Sequence, residues 1–461
     1  MRMDLKPMMN PKSVAIIGAS RDPDKVGHII LQNYIDAGYS GALYPINRNA
    51  GSETIVGLKV YKSVLEVKKS IDLAVISIPA PAVPDALEEC GKAGVKTAVV
   101  VSGGFAEIGE VALQDKIVEI AKKYNIAMLG PNCLGIMDPS SRVDTLFLPT
   151  YKLSRPKSGN VSFVSQSGAV GSTVLDLIAK EGFGLAKFIS YGNAAYVDEV
   201  DILEYLLHDK ETRVIVMYIE GVKRGKEFIE IAKKITKVKP VIIIKGGMTD
   251  AGAAAAHSHT ASLAGNSQAY EAVFRQFGFI IAKDLSELLY FAKAFSTEPL
   301  PLGKRVAIIT NGGGTGVLTA DSVYLEGLEL ADFSENTKVA LRKVLPSLVN
   351  IRNPLDLAGD ADEVRYDNAL SLVTNDPNVD MLIVIALFQT PGADSTVASK
   401  LIYYKKKISK PMVVITAGSD YTQTHKTMME SSGLPVYDSP MAATSSLTKL
   451  LKYKEYIDRD L

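Results

Sequence analysis

The chain has 461 residues, of which 47% are hydrophobic and 22% charged, and its 51 Lys+Arg balance its 51 Asp+Glu. That length is too great for one core and points to about three domains of ordinary size, and the composition fits a globular enzyme rather than a disordered or fibrous chain. Zero net charge and the lack of a long basic run argue against nucleic acid as the main partner, so an anionic ligand must be held by local geometry.

In chain order, Met1-Arg2-Met3-Asp4-Leu5-Lys6-Pro7 has no apolar h-region, so no signal peptide is expected, and no apolar run approaches a membrane span. The first unit opens with Ser13-Val14-Ala15-Ile16-Ile17-Gly18-Ala19-Ser20, an apolar strand running into a glycine turn. Further strands are predicted at 42–46, 73–78, 98–101 and 127–129, with helical patterns at 83–93 and 114–124. Cys90 and Cys133 are the only cysteines. One falls in a helical pattern and the other follows Pro131-Asn132, so no disulfide scaffold and a reducing cytoplasm are expected. A turn-rich stretch at 149–159 separates a second unit, which opens with Val161-Ser162-Phe163-Val164-Ser165-Gln166-Ser167-Gly168 and has strands predicted at 187–189, 214–219, 241–244 and 279–282. Helix 263–277 should follow, with Ala272 and Phe274 in the core. After the linker at 296–303 a third unit opens with Arg305-Val306-Ala307-Ile308-Ile309-Thr310-Asn311-Gly312-Gly313-Gly314, with strands predicted at 381–386, 412–416 and 435–436. Short β-branched runs alternating with helices predict an α/β fold of three successive doubly wound parallel-sheet units, over 1–148, 149–298 and 299–461.

Ligands of open parallel sheets sit beyond the carboxyl ends of the strands, so the loop after each first strand is the place to search. Gly18-Ala19-Ser20-Arg21, followed by Gly27, departs from GxGxxG, and the second strand ends Pro45-Ile46-Asn47-Arg48, without the acidic residue that takes a ribose. Nucleotide or CoA binding is the functional reading, and a ligand-free tight turn the plainer one. At Ser165-Gln166-Ser167-Gly168 hydroxyls and N–H groups converge on a helix start, more than one capping serine requires, so phosphate is expected there. Asn311-Gly312-Gly313-Gly314-Thr315-Gly316 repeats the theme, and its glycines make sense where the backbone must approach something closely. No loop has the Gly-Lys-Ser/Thr of a Walker A, so no ATP site is evident.

Two of the five histidines, His257 and His259, lie in the small-residue stretch 251–265. A metal role lacks a third ligand nearby, and no metal site is expected. A nucleophilic or acid–base role suits a small-residue loop that must move. A nucleophilic imidazole needs one nitrogen free and the other oriented by an acceptor. Glu220, at the end of strand 214–219, is the candidate acceptor.

Taken together these residues resemble the α subunits of ADP-forming acyl-CoA synthetases, with ADP-forming acetyl-CoA synthetases the best match, a family related to succinyl-CoA synthetase. The resemblance spans the chain in order. It runs through Ser13–Ser20, Ile78-Pro79-Ala80-Pro81, Gly130-Pro131-Asn132-Cys133-Leu134-Gly135, Ser165–Gly168, Ser258-His259-Thr260-Ala261-Ser262-Leu263-Ala264-Gly265, Asn311–Gly316 and Asn353-Pro354-Leu355-Asp356-Leu357. Family members often carry Gly where Ala261 stands. The resemblance implies a Rossmann-like CoA-binding domain followed by two flavodoxin-like ligase domains. It makes His259 the phosphorylated residue, Glu220 its orienting carboxylate and His257 a bystander. It implies CoA contacts from Gly18, Ala19, Ser20, Arg21, Asn47, Arg48, Pro79, Ser102 and Gly103. Phosphate contacts are implied for Ser165, Gln166, Ser167, Gly168, Gly312, Gly313, Gly314 and Thr315, and an acyl pocket near Gly192-Asn193-Ala194-Ala195. A separate ATP-grasp β subunit carrying Mg²⁺ and ADP/ATP is implied, in an α2β2 assembly. The rivals are an NAD-dependent dehydrogenase and a non-catalytic CoA-binding regulatory module; the missing ribose acid speaks against the first and the His259 loop against the second.

Overall fold

The computed structural model describes residues 3–49, 54–249, 251–252 and 267–459, and divides into two compact units, Met1–Lys180 with Gly184–Ile281, and Glu181–Phe183 with Ala282–Leu461. The larger unit holds two extended sheets. Its strands are β1 (Ser13–Ile17), β2 (Ala42–Ile46), the hairpin β3 (Thr54–Ile55) and β4 (Leu58–Lys59), β5 (Leu73–Ile76), β6 (Thr97–Val100), β7 (Ala127–Leu129), β8 (Gly135–Asp138), β9 (Val143–Asp144), β10 (Ser158–Ser165), β11 (Leu185–Ser190), β12 (Val214–Ile219), β13 (Val241–Lys245) and β14 (Ile280–Ile281). The smaller unit holds β15 (Arg305–Thr310), β16 (Glu329–Leu330), β17 (Leu355–Asp356), β18 (Met381–Ile385), β19 (Met412–Ile415) and β20 (Val436–Tyr437).

The three sheets run β2-β1-β5-β6-β7, β14-β13-β12-β10-β11-β8-β9 and β16-β15-β18-β19-β20, with β17 also paired to β15. In each, the unit's first strand lies between its second and third parallel strands. The winding direction reverses beside that first strand, so each glycine turn sits at a switch point, where open sheets bind ligands.

β1, β5 and β6 are buried along their whole length, and successive residues feed opposite cores. Val14, Ile16, Leu73, Val75 and Val99 join a core that continues through Ile189, Ile215 and Met217 of the second sheet. Ala15, Ile17, Ala74, Ile76, Ala98 and Val100 join a second core on the other face, with Leu87 and Ile117. This two-residue alternation, with apolar residues at every position, is what helices on both faces require. Each fully buried Val, Leu or Ile contributes about 1.5–3 kcal/mol.

Two local expectations need correction. Ala272 is exposed whereas Phe274 is buried, because residues two apart on a helix point to different sides and cannot share one core face. The second sheet also has an edge that is not parallel. β8 pairs antiparallel with β11, and β9 antiparallel with β8. β8 and β9 are joined by a short turn and so must pair antiparallel with each other, and this hairpin adds to the free edge at β11. β8 and β9 thus belong to the second sheet although they precede the turn-rich stretch at 149–159, and helix Leu285–Thr297 belongs to the smaller unit.

Candidate functional site

The turn after β1 is built by close backbone approach. Gly18 has φ +98°, and a Cβ there would stand 2.6 Å from the Ser77 carbonyl oxygen. A Cβ on Gly27, in the first turn of helix Val26–Asp36, would collide with the Gly18 carbonyl oxygen. Only glycine lets strand, turn and helix come this close. The Gly18 and Ala19 N–H groups donate to Ile46 O (3.0 and 3.2 Å), and Asn47 Nδ2 donates to Ala19 O (2.8 Å). Where a dinucleotide fold places its ribose-binding acid, this chain has Asn47 tied to the turn itself. Ser20 Oγ accepts from Asp22 N–H (3.1 Å), and Ser20 O lies 2.9 Å from His28 Nδ1.

Beside this turn lies a cleft of about 220 Å³, lined by Gly18, Asn47, Arg48 and Pro79 of the expected set, with Lys62, Val64, Ile78, Ala82, Ala86 and Glu89. Its floor is apolar and its rim carries two cations. Arg48 Nη2 pairs with Glu89 Oε1 at 2.6 Å, and Ser63 Oγ donates to the other Glu89 oxygen (2.7 Å). The Arg48 side chain is more than half exposed, so this pair holds its geometry more than it adds stability. Lys62 was not anticipated. The Ile46–Tyr61 bridge brings it to the cleft, a tertiary contact with no motif of its own. Ala19, Ser20, Arg21, Ser102 and Gly103 do not line the cleft.

Ser102 and Gly103 stand at the end of β6, where Ser102 Oγ donates to Ile78 O (2.5 Å) and Ser102 O accepts from Asn132 N–H (2.9 Å). Asn132 has φ +58° and follows the cis Gly130-Pro131 bond. The loop after β11 packs against this turn: Asn193 N–H donates to Pro131 O (3.0 Å), Ala195 N–H to Gly130 O (3.2 Å), and a Cβ at Gly192 would meet Asn132 O. The expected acyl-pocket loop and the expected CoA loops are therefore in contact.

At the second switch point Ser165 ends β10 and its Oγ donates to Ser167 O (2.7 Å). Val170 N–H reaches Ser167 Oγ at 3.4 Å in the first turn of helix Gly168–Glu181, whose positive end gathers here. Gln166 is buried, and its Oε1 accepts from the Glu220 and Gly221 N–H groups (2.7 and 3.2 Å). This hydrogen bond ties the phosphate-type loop to the residue that follows β12. Glu220 is 5% exposed, and its Oε2 is buried with no hydrogen-bond partner among the described residues. Burial and the Glu220 carboxylate push the neighbouring Tyr218 phenol up to about 12. Lys245, also buried, has its ammonium 4.9 Å from the Tyr270 ring centre; burial draws its pKa down while Glu220 acts in the opposite sense. β12 and β13 pair through Ile219 and Lys245, and a Cβ on Gly246 would lie 3.6 Å from Glu220 Cγ. The segment leading to His257 and His259 therefore leaves the sheet beside Glu220; both histidines lie outside the described residues.

The third switch point repeats two hydrogen bonds of the second. Thr310 Oγ1 donates to Gly312 O (3.0 Å), as Ser165 does to Ser167. Asn311 Oδ1 accepts from Leu387 N–H (2.9 Å), as Gln166 does from Glu220. Gly171 and Gly316, each in the first turn, leave room for Phe188 and Thr310, whose nearest atoms would stand 3.0 Å from a Cβ. Aligning Val161–Gly171 with Val306–Gly316 makes this repeat visible in the sequence. The copies differ at one register position: Ser190 lies opposite Ser165, but Asp356 lies opposite Thr310. Asp356 Oδ2 is 2.6 Å from where a Gly313 Cβ would be, and Leu387 crowds Gly312. Packing thus accounts for Gly312, Gly313 and Gly316, whereas Gly314 and Thr315 begin an open helix turn, with free space around Gly314. The Ser165 start thus faces a hydroxyl and the Thr310 start a carboxylate, and a carboxylate opposes a neighbouring anion.

Three family models match the chain in order. Residues 12–139 match a CoA binding domain, 158–295 a succinyl-CoA ligase like flavodoxin domain, and 306–445 a ligase-CoA domain. The α subunit of the ADP-forming acetate–CoA ligase II of Pyrococcus furiosus is 42% identical over 437 residues, covering 94% of each chain. The ADP-forming acetate–CoA ligase of Methanocaldococcus jannaschii is 43% identical over 98% of this chain, which spans 63% of that longer protein. Among solved structures, the acetyl-coenzyme A synthetase 1 of Ca. Korarchaeum cryptofilum, in complex with phosphate and ADP, superposes with a TM-score of 0.93 at 36% identity, covering 99% of both chains.

Proposed function

The chain belongs to the family of ADP-forming acyl-CoA ligases, and on that premise we propose that it is the α subunit of an ADP-forming acetate–CoA ligase. With a partner chain it converts acyl-CoA, ADP and phosphate into acid, CoA and ATP. The observation that carries the mechanism is the buried Oε2 of Glu220, which has no hydrogen-bond partner among the described residues, at the sheet edge from which the His259 segment departs. Leaving a buried polar atom unpaired costs about 1–3 kcal/mol, more when charged, so Oε2 calls for a donor from beyond the described residues.

CoA suits the first-sheet cleft: the Gly18 turn leaves room for close approach, the floor is apolar, and Asn47, Arg48 and Lys62 offer polar and cationic groups at its rim. Gly18, Ala19, Ser20 and Arg21 form the turn, while Pro79, Ser102 and Gly103 stand at the ends of the neighbouring strands. Phosphate is held at the helix start Ser165-Gln166-Ser167-Gly168, whose dipole and N–H groups favour negative charge. A phosphate oxygen attacks the thioester carbon; the C–O bond forms, the C–S bond breaks, and CoA leaves as the thiolate or, after protonation, the thiol. An imidazole nitrogen of His259 then attacks phosphorus; the N–P bond forms and the bond to the acid oxygen breaks, releasing the carboxylate. Glu220 Oε2 accepts the N–H of the other imidazole nitrogen and steadies the positive charge that develops on the ring. Gly312, Gly313, Gly314 and Thr315 form a second helix start of the same design.

The phosphoryl group passes from His259 to ADP on the partner. We assign that partner an ATP-grasp fold with Mg²⁺ and nucleotide, in an α2β2 assembly. The α-subunit names of the Pyrococcus relatives and the greater length of the Methanocaldococcus protein support a division of labour between chains or domains.

Incubating the chain with its partner and γ-labelled ATP tests the reading. An acid-labile, base-stable label of about one phosphoryl group per chain is expected, absent in His259→Ala. In Glu220→Gln labelling should slow by about tenfold or more, the scale of losing one positioned charge partner, with an unchanged melting temperature. Label that survives His259→Ala would overturn the assignment.

A further inference from the structure

We infer that Glu107 and Asn193 form a positioning pair that sets the CoA-side loop after β6 against the acyl-side loop after β11, and that it serves the thioester step but not the phosphoryl step. This rests on the reading of the chain as a CoA-using ligase.

Glu107 Oε1 accepts from the Gly104 and Phe105 N–H groups (2.5 and 3.2 Å) and fixes the turn in which Gly104 takes φ +104°. A turn cap needs no more than this one oxygen. The second, Oε2, accepts from Asn193 Nδ2 at 2.6 Å, across to the loop of another sheet. Asn193 in turn is fully used. Nδ2 also reaches Gln114 Oε1 (3.0 Å), Oδ1 accepts from Asn132 Nδ2 (3.2 Å), its N–H donates to Pro131 O (3.0 Å), and its carbonyl accepts from Lys223 Nζ (3.0 Å). Lys223 Nζ donates to Ala194 O as well, at 3.0 Å. One carboxylate and one amide thus fix two loops to each other.

The loops are the ones the thioester chemistry needs together. The loop after β11 leaves beside the Ser165 helix start, since Ser190 is paired with Ser165. The turn after β6 leaves the sheet that bears the CoA cleft. In the synthetic direction the CoA sulfur attacks the acyl-phosphate carbon; the C–S bond forms, the C–O bond to phosphate breaks, and the thiol proton passes to the departing phosphate. That step fails if sulfur and acyl carbon are misplaced by about 1 Å. Phosphoryl transfer between ATP and His259 involves neither CoA nor acyl group.

Burial opposes the charge on Glu107, but the hydrogen bonds from Asn193 and from the Gly104 and Phe105 N–H groups outweigh it and hold its carboxyl below the ordinary range. Both oxygens therefore accept at neutral pH. A glutamine cannot do this, because one end of its amide only donates.

The test uses the chain in complex with its partner. Glu107→Gln should take label from γ-labelled ATP on His259 at the wild-type rate and release labelled acyl phosphate with acetate. Thioester formation on adding CoA should slow by about tenfold to a hundredfold. Asn193→Asp, which faces one carboxylate with another, should be slowed likewise. Glu107→Gln combined with Asn193→Asp restores a donor–acceptor pair and should recover most of the rate, with melting temperatures confirming that all variants fold. Wild-type thioester formation in Glu107→Gln, or a double variant no faster than the slower single, overturns the pair. Failure of the unsubstituted chain to take label overturns the functional reading on which it rests.

Discussion

Two buried glutamates of the larger unit illustrate how differently one residue type is used. Glu220 follows a strand at its carboxyl end and has an oxygen without a hydrogen-bond partner among the described residues, beside the Ser165 loop. Glu199, at the start of helix Glu199–His208, is 1% exposed, and its Oε1 likewise has no hydrogen-bond partner among the described residues. Burial first, and then Asp198, raise Glu199 to about 7, against the pull of Arg224 and Lys223. Tyr191, its phenol also buried, adds no positive charge. The folded protein therefore holds a proton on Glu199 that the unfolded chain releases near pH 4.5. Its stabilising contribution is complete below that pH and is lost as pH rises from about 4.5 to 7, by up to about 3 kcal/mol. Urea unfolding at intervals between pH 5 and 8 should show this decline, and Glu199→Gln should flatten it; an equal slope in both proteins would contradict the account. Glu220 was legible in the sequence because a carboxylate at a strand's carboxyl end is conspicuous. Glu107, Glu199 and Lys62 were not, because their significance comes from loops that meet only in the fold.

Among elements, the strand–turn–helix openings were the most legible part of the chain. Each lies at a switch point, and two share the same hydrogen bonds from Ser165 or Thr310 and to Gln166 or Asn311. Their glycines have separate causes, which composition cannot distinguish. Gly18 and Gly27 touch each other, Gly312 and Gly313 make room for Leu387 and Asp356, and Gly314 has open space. Gly27→Ala forces a methyl against the Gly18 carbonyl, a backbone atom that cannot rotate away. It should lower stability by about 1–3 kcal/mol in urea titration and weaken CoA binding, whereas Gly314→Ala should leave stability nearly unchanged. The antiparallel edge of β8 and β9 was illegible because its residues carry no period of their own and follow β7 directly.

For the whole molecule, the ordered motifs along the chain point to the fold and the family, and three sheets that wind alike around their parallel strands, together with the three matching family models, bear that out. The grouping of two sheets into one unit was not legible, since it depends on a core that runs from Val14 and Ile16 to Ile189 and Met217. In the proposed division of labour this chain alone carries out the thioester half of the reaction and stores the phosphoryl group on His259. The most direct measurement is the mass of the purified chain after incubation with acetyl-CoA and inorganic phosphate, without partner or nucleotide. A gain of one phosphoryl group on His259 is expected, matched by one free CoA and one acetate and absent in His259→Ala. An unchanged mass, or a gain on another residue, would contradict it.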